Sequence, residues 1–181
     1  MNLRFWTISN ILSISRVILL IPIVVLLLDK NPDSRYWALG LMVIAALTDA
    51  LDGYLARRLK QVTDLGKLLD PLADKICVGV AVVVLLTLGN LPLWFVIVVL
   101  ARDVLIFLGG TYITKTRRVV LQSSTVGKIA VTIIAIAILF ATLNLEQLNF
   151  FKQLFVWLSV LMIAVSLVLY GQRFVEVVSK E

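Results

Sequence analysis

The sequence predicts an all-α protein: an integral membrane bundle of six transmembrane helices with both termini in the cytoplasm. Three observations carry this expectation. Of 181 residues, 61% are hydrophobic and 15% charged, and the mean hydropathy of +1.03 is far above that of an ordinary soluble domain. The apolar residues gather into six stretches of roughly 20, the length an α-helix needs to cross about 30 Å of hydrocarbon. Runs such as residues 80–86 are apolar at every position, which a spanning β-strand with its alternating faces is not.

The predicted spans are residues 10–28, 36–55, 65–88, 93–113, 126–143 and 150–171, each bounded by charge, Gly or Pro. The first follows Arg4, Phe5 and Trp6, a mixture suited to the membrane interface, and is followed by Asp29-Lys30-Asn31-Pro32 with no small-x-small cleavage site. It is therefore read as retained rather than as a signal peptide. Arg57, Arg58 and Lys60 lie between spans two and three, and Lys115, Arg117 and Arg118 between four and five. Arg4, Arg173 and Lys180 flank the ends, whereas the opposite side has only Lys30, Arg35 and Lys152. Positive loops stay in the cytoplasm, which sets the expected orientation. The net charge of +6 is then a membrane signature and gives no reason to expect nucleic acid as a partner, because the basic residues flank spans and form no separate domain. One domain covering residues 1–181 is expected, its most informative segment being 49–74.

The chemistry open to the chain is narrow. Cys77 is the sole cysteine and there is no histidine, which excludes an intrachain disulfide, imidazole catalysis and zinc–histidine sites. Carboxylates, amines, guanidinium groups and hydroxyls remain. An ionisable residue in a membrane span costs several kcal/mol, on the order of 3 by insertion scales, and so calls for a partner or a function. Asp49 and Asp52 lie three apart and Asp70 and Asp74 four apart, so each pair shares a helix face. The short turn between spans two and three makes those spans antiparallel neighbours and brings both pairs to the cytoplasmic end. Four converging carboxylates repel unless neutralised, and bound divalent cation does so; with oxygen donors alone, the hard ions Mg²⁺ or Mn²⁺ are expected, two for four carboxylates. Such a site suits a pyrophosphate-containing substrate. Pairing with Arg57, Lys67 or Lys75 could satisfy one or two of the aspartates, but not the set. Gly53, Gly66 and Ala56 bare the helix surface either for a ligand or for close helix packing.

Written as a pattern, residues 49–74 read D-x-x-D-G-x-x-A-R-x8-G-x-x-x-D-x-x-x-D, which resembles without a gap the signature of the CDP-alcohol phosphotransferase family. Asn10-Ile11-Leu12-Ser13-Ile14-Ser15-Arg16 with Pro22 is similar to that family's first-span opening. The resemblance implies transfer of a phosphatidyl group from CDP-diacylglycerol to an alcohol with release of CMP, in phospholipid synthesis at the plasma or inner membrane. It implies that Asp49, Asp52 and Asp70 hold metal, that Asp74 is both ligand and general base, and that Gly53, Ala56, Arg57 and Gly66 receive the cytidine diphosphate, with Thr63 a further candidate. It also implies a homodimer.

For the acceptor, Arg102 in the fourth span and Lys128 at the start of the fifth match positions at which relatives hold a phosphate, a task suited to the planar guanidinium. A structural pair of Arg102 with Asp103 or Asp70 is the alternative. Glycerol 3-phosphate, giving phosphatidylglycerophosphate, is the first expectation. Ala130 and Val131 stand where users of that acceptor tend to carry a second lysine, which keeps open phosphatidylglycerol as a lipid acceptor, as in CDP-dependent cardiolipin synthases. Lys115, Arg117 and Arg118 are expected to be topology signals that meet anionic lipid. Two readings of other classes also use intramembrane carboxylates: a small cation transporter, which would place its site near the midplane, and a non-catalytic helical scaffold, in which the aspartates would be replaceable.

Overall fold

The computed structural model describes residues 8–59, 66–117 and 125–179, with side chains at 13–48, 72–114, 116 and 125–179. Among the described residues the secondary structure is entirely helical: α1 (Ile8–Leu28), α2 (Ser34–Leu59), α3 (Gly66–Thr87), α4 (Leu93–Arg117), α5 (Thr125–Leu143) and α6 (Asn149–Ser179), with a short 3₁₀ turn at Glu146–Leu148. Each expected span corresponds to one helix. α2, α4 and α6 continue past the expected ends at 55, 113 and 171, because hydropathy marks where an apolar stretch stops whereas backbone hydrogen bonding continues through polar residues. The segments Leu93–Thr114, Thr125–Leu143 and Glu146–Ser179 are long and apolar enough to cross a membrane, and Ser13–Leu28 and Ser34–Thr48 are shorter apolar helical segments.

The chain forms two compact units, Met1–Asn90 and Leu91–Glu181. In the first, α1 packs against both α2 and α3. One stripe of α1, formed by Ser13, Arg16, Ile23 and Leu27, is buried, while Ile14, Ile18, Ile21 and Val25 line an exposed face. Apolar residues on both faces are what lipid rather than water requires of a helix. Between α1 and α2 the chain turns through a small polar network. The Asn31 amide donates to Asp29 Oδ1 at 3.3 Å and the Asp33 amide to Asn31 Oδ1 at 3.1 Å, while the Ser34 hydroxyl donates to Asp29 Oδ2 at 2.5 Å. The bonds from the Ser34 hydroxyl, which contributes most, and from the Asn31 amide hold the Asp29 carboxyl below its ordinary pKa. α3 ends in a Schellman turn: the Asn90 amide donates to the Leu85 carbonyl and the Gly89 amide to the Leu86 carbonyl, both at 2.9 Å, with Gly89 at φ +72°. Only glycine adopts that backbone without strain.

In the second unit, α6 packs against both α4 and α5. α5 presents Gly127, Ala130, Ile134, Ala137 and Ala141 along one stripe, and α6 presents Val156, Ser159, Ile163 and Ser166. Small side chains at three- and four-residue spacing let membrane helices approach closely. Near the turn that joins them, Phe140 stacks on Phe151 and Phe155, with ring centroids 6.0 and 5.4 Å away. α5 is closed by Asn144 at φ 46°, whose amide donates to the Phe140 carbonyl at 3.2 Å. Against α4, α6 places Tyr170, whose hydroxyl donates to the Ile106 carbonyl at 3.1 Å. A β-carbon added at Gly109 would lie 2.9 Å from that hydroxyl oxygen, so the glycine is what admits the phenol.

Candidate active site

Helix α2 carries Asp49 and Asp52 toward its C-terminal end, and α3 carries Asp70 and Asp74 in its first half. The backbone thus has the helical form that puts each pair on one face, as the spacing requires. The side chains of Asp49, Asp52, Gly53, Ala56, Arg57, Gly66 and Asp70 lie outside the described residues, and Thr63 lies outside them altogether. Among the described residues, accordingly, there is no group of three or more acidic, cysteine or histidine side chains.

Asp74 is the motif aspartate whose surroundings are described. Its side chain is 49% exposed, and its Oδ1 accepts a hydrogen bond from Nη1 of Arg16, which is only 6% exposed. Arg16 comes from α1, 58 positions earlier in the chain. Its Nη2 lies 3.5 Å from the buried Ser13 hydroxyl, and its carbonyl accepts from the Cys77 thiol at 3.8 Å. Asp74 and Cys77 are three apart on α3, so one face of that helix meets one turn of α1 at two points. Arg16, part of the first-span opening, carries no expected role from the sequence alone. A usable signal was present, because an arginine inside an apolar span requires a counter-charge; its identity lies in the helix packing.

In the second unit, Arg102 of α4 is 7% exposed. Its Nη1 donates to Asp103 Oδ1 at 2.6 Å and its Nη2 to the Gly127 carbonyl of α5 at 3.4 Å. The Arg102–Asp103 pair offered by the sequence as a structural alternative is therefore present. The buried Arg102 Nε has no hydrogen-bond partner among the described residues, so the guanidinium retains a donor for a further acceptor. Lys128 follows Gly127 directly and is exposed. Arg102 thus reaches the backbone of the N-terminal turn of α5 at Gly127, the residue before Lys128.

The donor set suits a hard divalent ion. The motif supplies only carboxylate oxygens, and the one described member, Asp74, keeps half its side chain accessible although a buried cation sits beside it. Among the described residues the secondary structure is thus all helical, with three segments long and apolar enough to cross a membrane and with the motif aspartates on two successive helices. Comparison with known proteins supplies the class. The family model described as CDP-alcohol phosphatidyltransferase matches residues 6–168, and the chain belongs to that family. It is 37% identical over 142 residues to the CDP-diacylglycerol–glycerol-3-phosphate 3-phosphatidyltransferase of Bacillus subtilis, covering 76% of this chain and 73% of the relative. The protein of the same name from Aquifex aeolicus is 34% identical over 181 residues, 96% of this chain and 99% of the relative. The cardiolipin synthase (CMP-forming) of Streptomyces coelicolor is 39% identical over 107 residues, 57% of this chain and 49% of the relative.

Proposed function

We propose that the protein makes phosphatidylglycerophosphate, transferring the phosphatidyl group of CDP-diacylglycerol to glycerol 3-phosphate and releasing CMP. The observation that carries this reading is the end-to-end match to the Aquifex aeolicus enzyme, which is named for that donor and acceptor. Asp49, Asp52, Asp70 and Asp74 would hold two Mg²⁺ or Mn²⁺ ions. Bound there, the ions would offset charge on the pyrophosphate and on the departing CMP.

The chain's own residues do the remainder. Gly53, Ala56 and Gly66 leave room for the cytidine diphosphate, with Arg57 supporting its phosphates and Thr63 offering a hydroxyl. Asp74 takes the proton of the acceptor hydroxyl as that oxygen attacks the phosphorus of the phosphatidyl group. The bond from this phosphorus to the bridging oxygen breaks, and its electron pair leaves with CMP. Arg102 and Lys128 bind the acceptor's phosphate, the Nε of Arg102 supplying an additional donor. The protein works as a single-domain homodimer in the plasma or inner membrane, with six spans and with the site and both termini in the cytoplasm.

A second reading, phosphatidylglycerol as acceptor with cardiolipin as product, is favoured by Ala130 and Val131 and by the Streptomyces coelicolor relative. Detergent-purified protein supplied with CDP-diacylglycerol, Mg²⁺ or Mn²⁺ and one acceptor at a time separates the two. CMP release with glycerol 3-phosphate supports the first reading, release with phosphatidylglycerol alone the second, and silence with both overturns each.

A further inference from the structure

We infer that Arg16 is a positioning residue for Asp74, fixing from α1 the carboxylate that accepts the acceptor's proton. The inference rests on the role proposed for Asp74. Three observations carry it. The guanidinium is buried while the carboxylate it holds is half exposed, which is the arrangement of an anchor and a working group. A pair serving only to neutralise charge in an apolar interior would bury both members. The guanidinium is itself constrained, with one nitrogen on Asp74 and the other beside the buried Ser13 hydroxyl. Finally, the Cys77 thiol bonds to the Arg16 carbonyl, so α1 is held in register with α3 one turn beyond Asp74. Rotation or sliding of α1 is thereby resisted where it would move the carboxylate.

Arg16 engages Oδ1 of Asp74, and a residue that positions the group taking the proton acts on turnover rather than on substrate affinity. An aspartate free to adopt several rotamers is in a productive position for a smaller fraction of the time, and removing the partner that orients a working ligand costs about 10–100-fold in activity. Lysine would keep the charge but lose the planar fork, so it should restore part of the rate.

The test uses the full chain in detergent at saturating metal, with kcat and KM measured for both substrates in Arg16→Gln, Arg16→Lys, Asp74→Asn and the Arg16→Gln/Asp74→Asn pair. Expected are a 10–100-fold lower kcat for Arg16→Gln with both KM values within about threefold of wild type, and partial recovery in Arg16→Lys. In the Asp74→Asn background, Arg16→Gln should cost nothing further, because both changes remove the same function. A raised KM at unchanged kcat, or losses that multiply in the double variant, would overturn the inference. Wild-type turnover in Asp74→Asn would instead overturn the role of Asp74, and is thus distinguishable. Should Arg16→Gln fail to fold, Arg16→Lys carries the test alone: with an unaltered thermal midpoint it should still show a reduced kcat, and full turnover would refute the inference.

Discussion

Gly109 offers a measurable test of how α4 is seated. A methyl group at that position would lie 2.9 Å from the Tyr170 hydroxyl oxygen and 3.0 Å from its Cε1 atom, closer than side chains tolerate. The ring must swing away and give up its bond to the Ile106 carbonyl, a loss of about 0.5–1.5 kcal/mol. Alanine in place of glycine inside a helix offsets about 1 kcal/mol of this by its better propensity. Gly109→Ala should therefore be close to neutral in the wild-type background, yet stabilising by about 1 kcal/mol when Tyr170→Ala has already removed the phenol. The signature is the coupling of about 0.5–1.5 kcal/mol between the two sites, read as the difference in unfolding free energy across four proteins in one detergent. Equal stabilisation by Gly109→Ala in both backgrounds would refute the packing argument. A functional consequence accompanies it. Gly109 lies seven residues, about two helical turns, beyond Arg102 on the same face of α4, so Gly109→Leu should raise the KM for glycerol 3-phosphate more than that for CDP-diacylglycerol.

Three further outcomes are expected. Arg102→Lys should raise the KM for the phosphate-bearing acceptor about tenfold, because a lysine cannot reproduce the guanidinium fork, with steady-state kinetics in the acceptor as the readout. Gly89→Ala should lower unfolding free energy by about 1–2 kcal/mol, since no neighbour crowds the position and the cost is that of a left-handed backbone alone; Gly89→Asn should cost less, as Asn144 already adopts such a conformation. For Asp29 the folded pKa is depressed, so its contribution is fully present above the unfolded pKa and disappears as pH falls through the folded one. The thermal midpoints of wild type and Ser34→Ala should accordingly differ above about pH 5 and converge in stronger acid.

Much of this architecture was legible because hydropathy and helical spacing are local properties. Six apolar stretches gave six helices, and the three- and four-residue spacing of the motif aspartates met helical backbone in α2 and α3. What remained illegible was non-local. Both α2 and α3 pack on α1, and Arg16 of α1 supplies a counter-charge for Asp74. No spacing rule links residue 16 to residue 74. Helix ends failed for a different reason: Gly171, Gln172 and Arg173 stop the apolar run but only weaken a helix, so α6 continues to Ser179. The hydrogen bond from Arg102 to the Gly127 carbonyl likewise depends on how α4 and α5 lie, which a single sequence does not encode in readable form.

The length of α6 has a practical corollary for anyone mapping which side of the bilayer is which. Thirty-one residues make a continuous rod of about 46 Å at 1.5 Å per residue, some 16 Å more than a hydrocarbon layer of about 30 Å. In the six-span arrangement proposed above, the surplus would carry the last turns into the aqueous or headgroup zone even when the helix is tilted. A thiol introduced at Val175, which is 62% exposed, would consequently stand clear of the acyl chains. Chemical labelling there with a membrane-impermeant reagent, applied first to sealed and then to opened vesicles, reads out the sidedness of the C-terminal end without altering any residue assigned to the reaction.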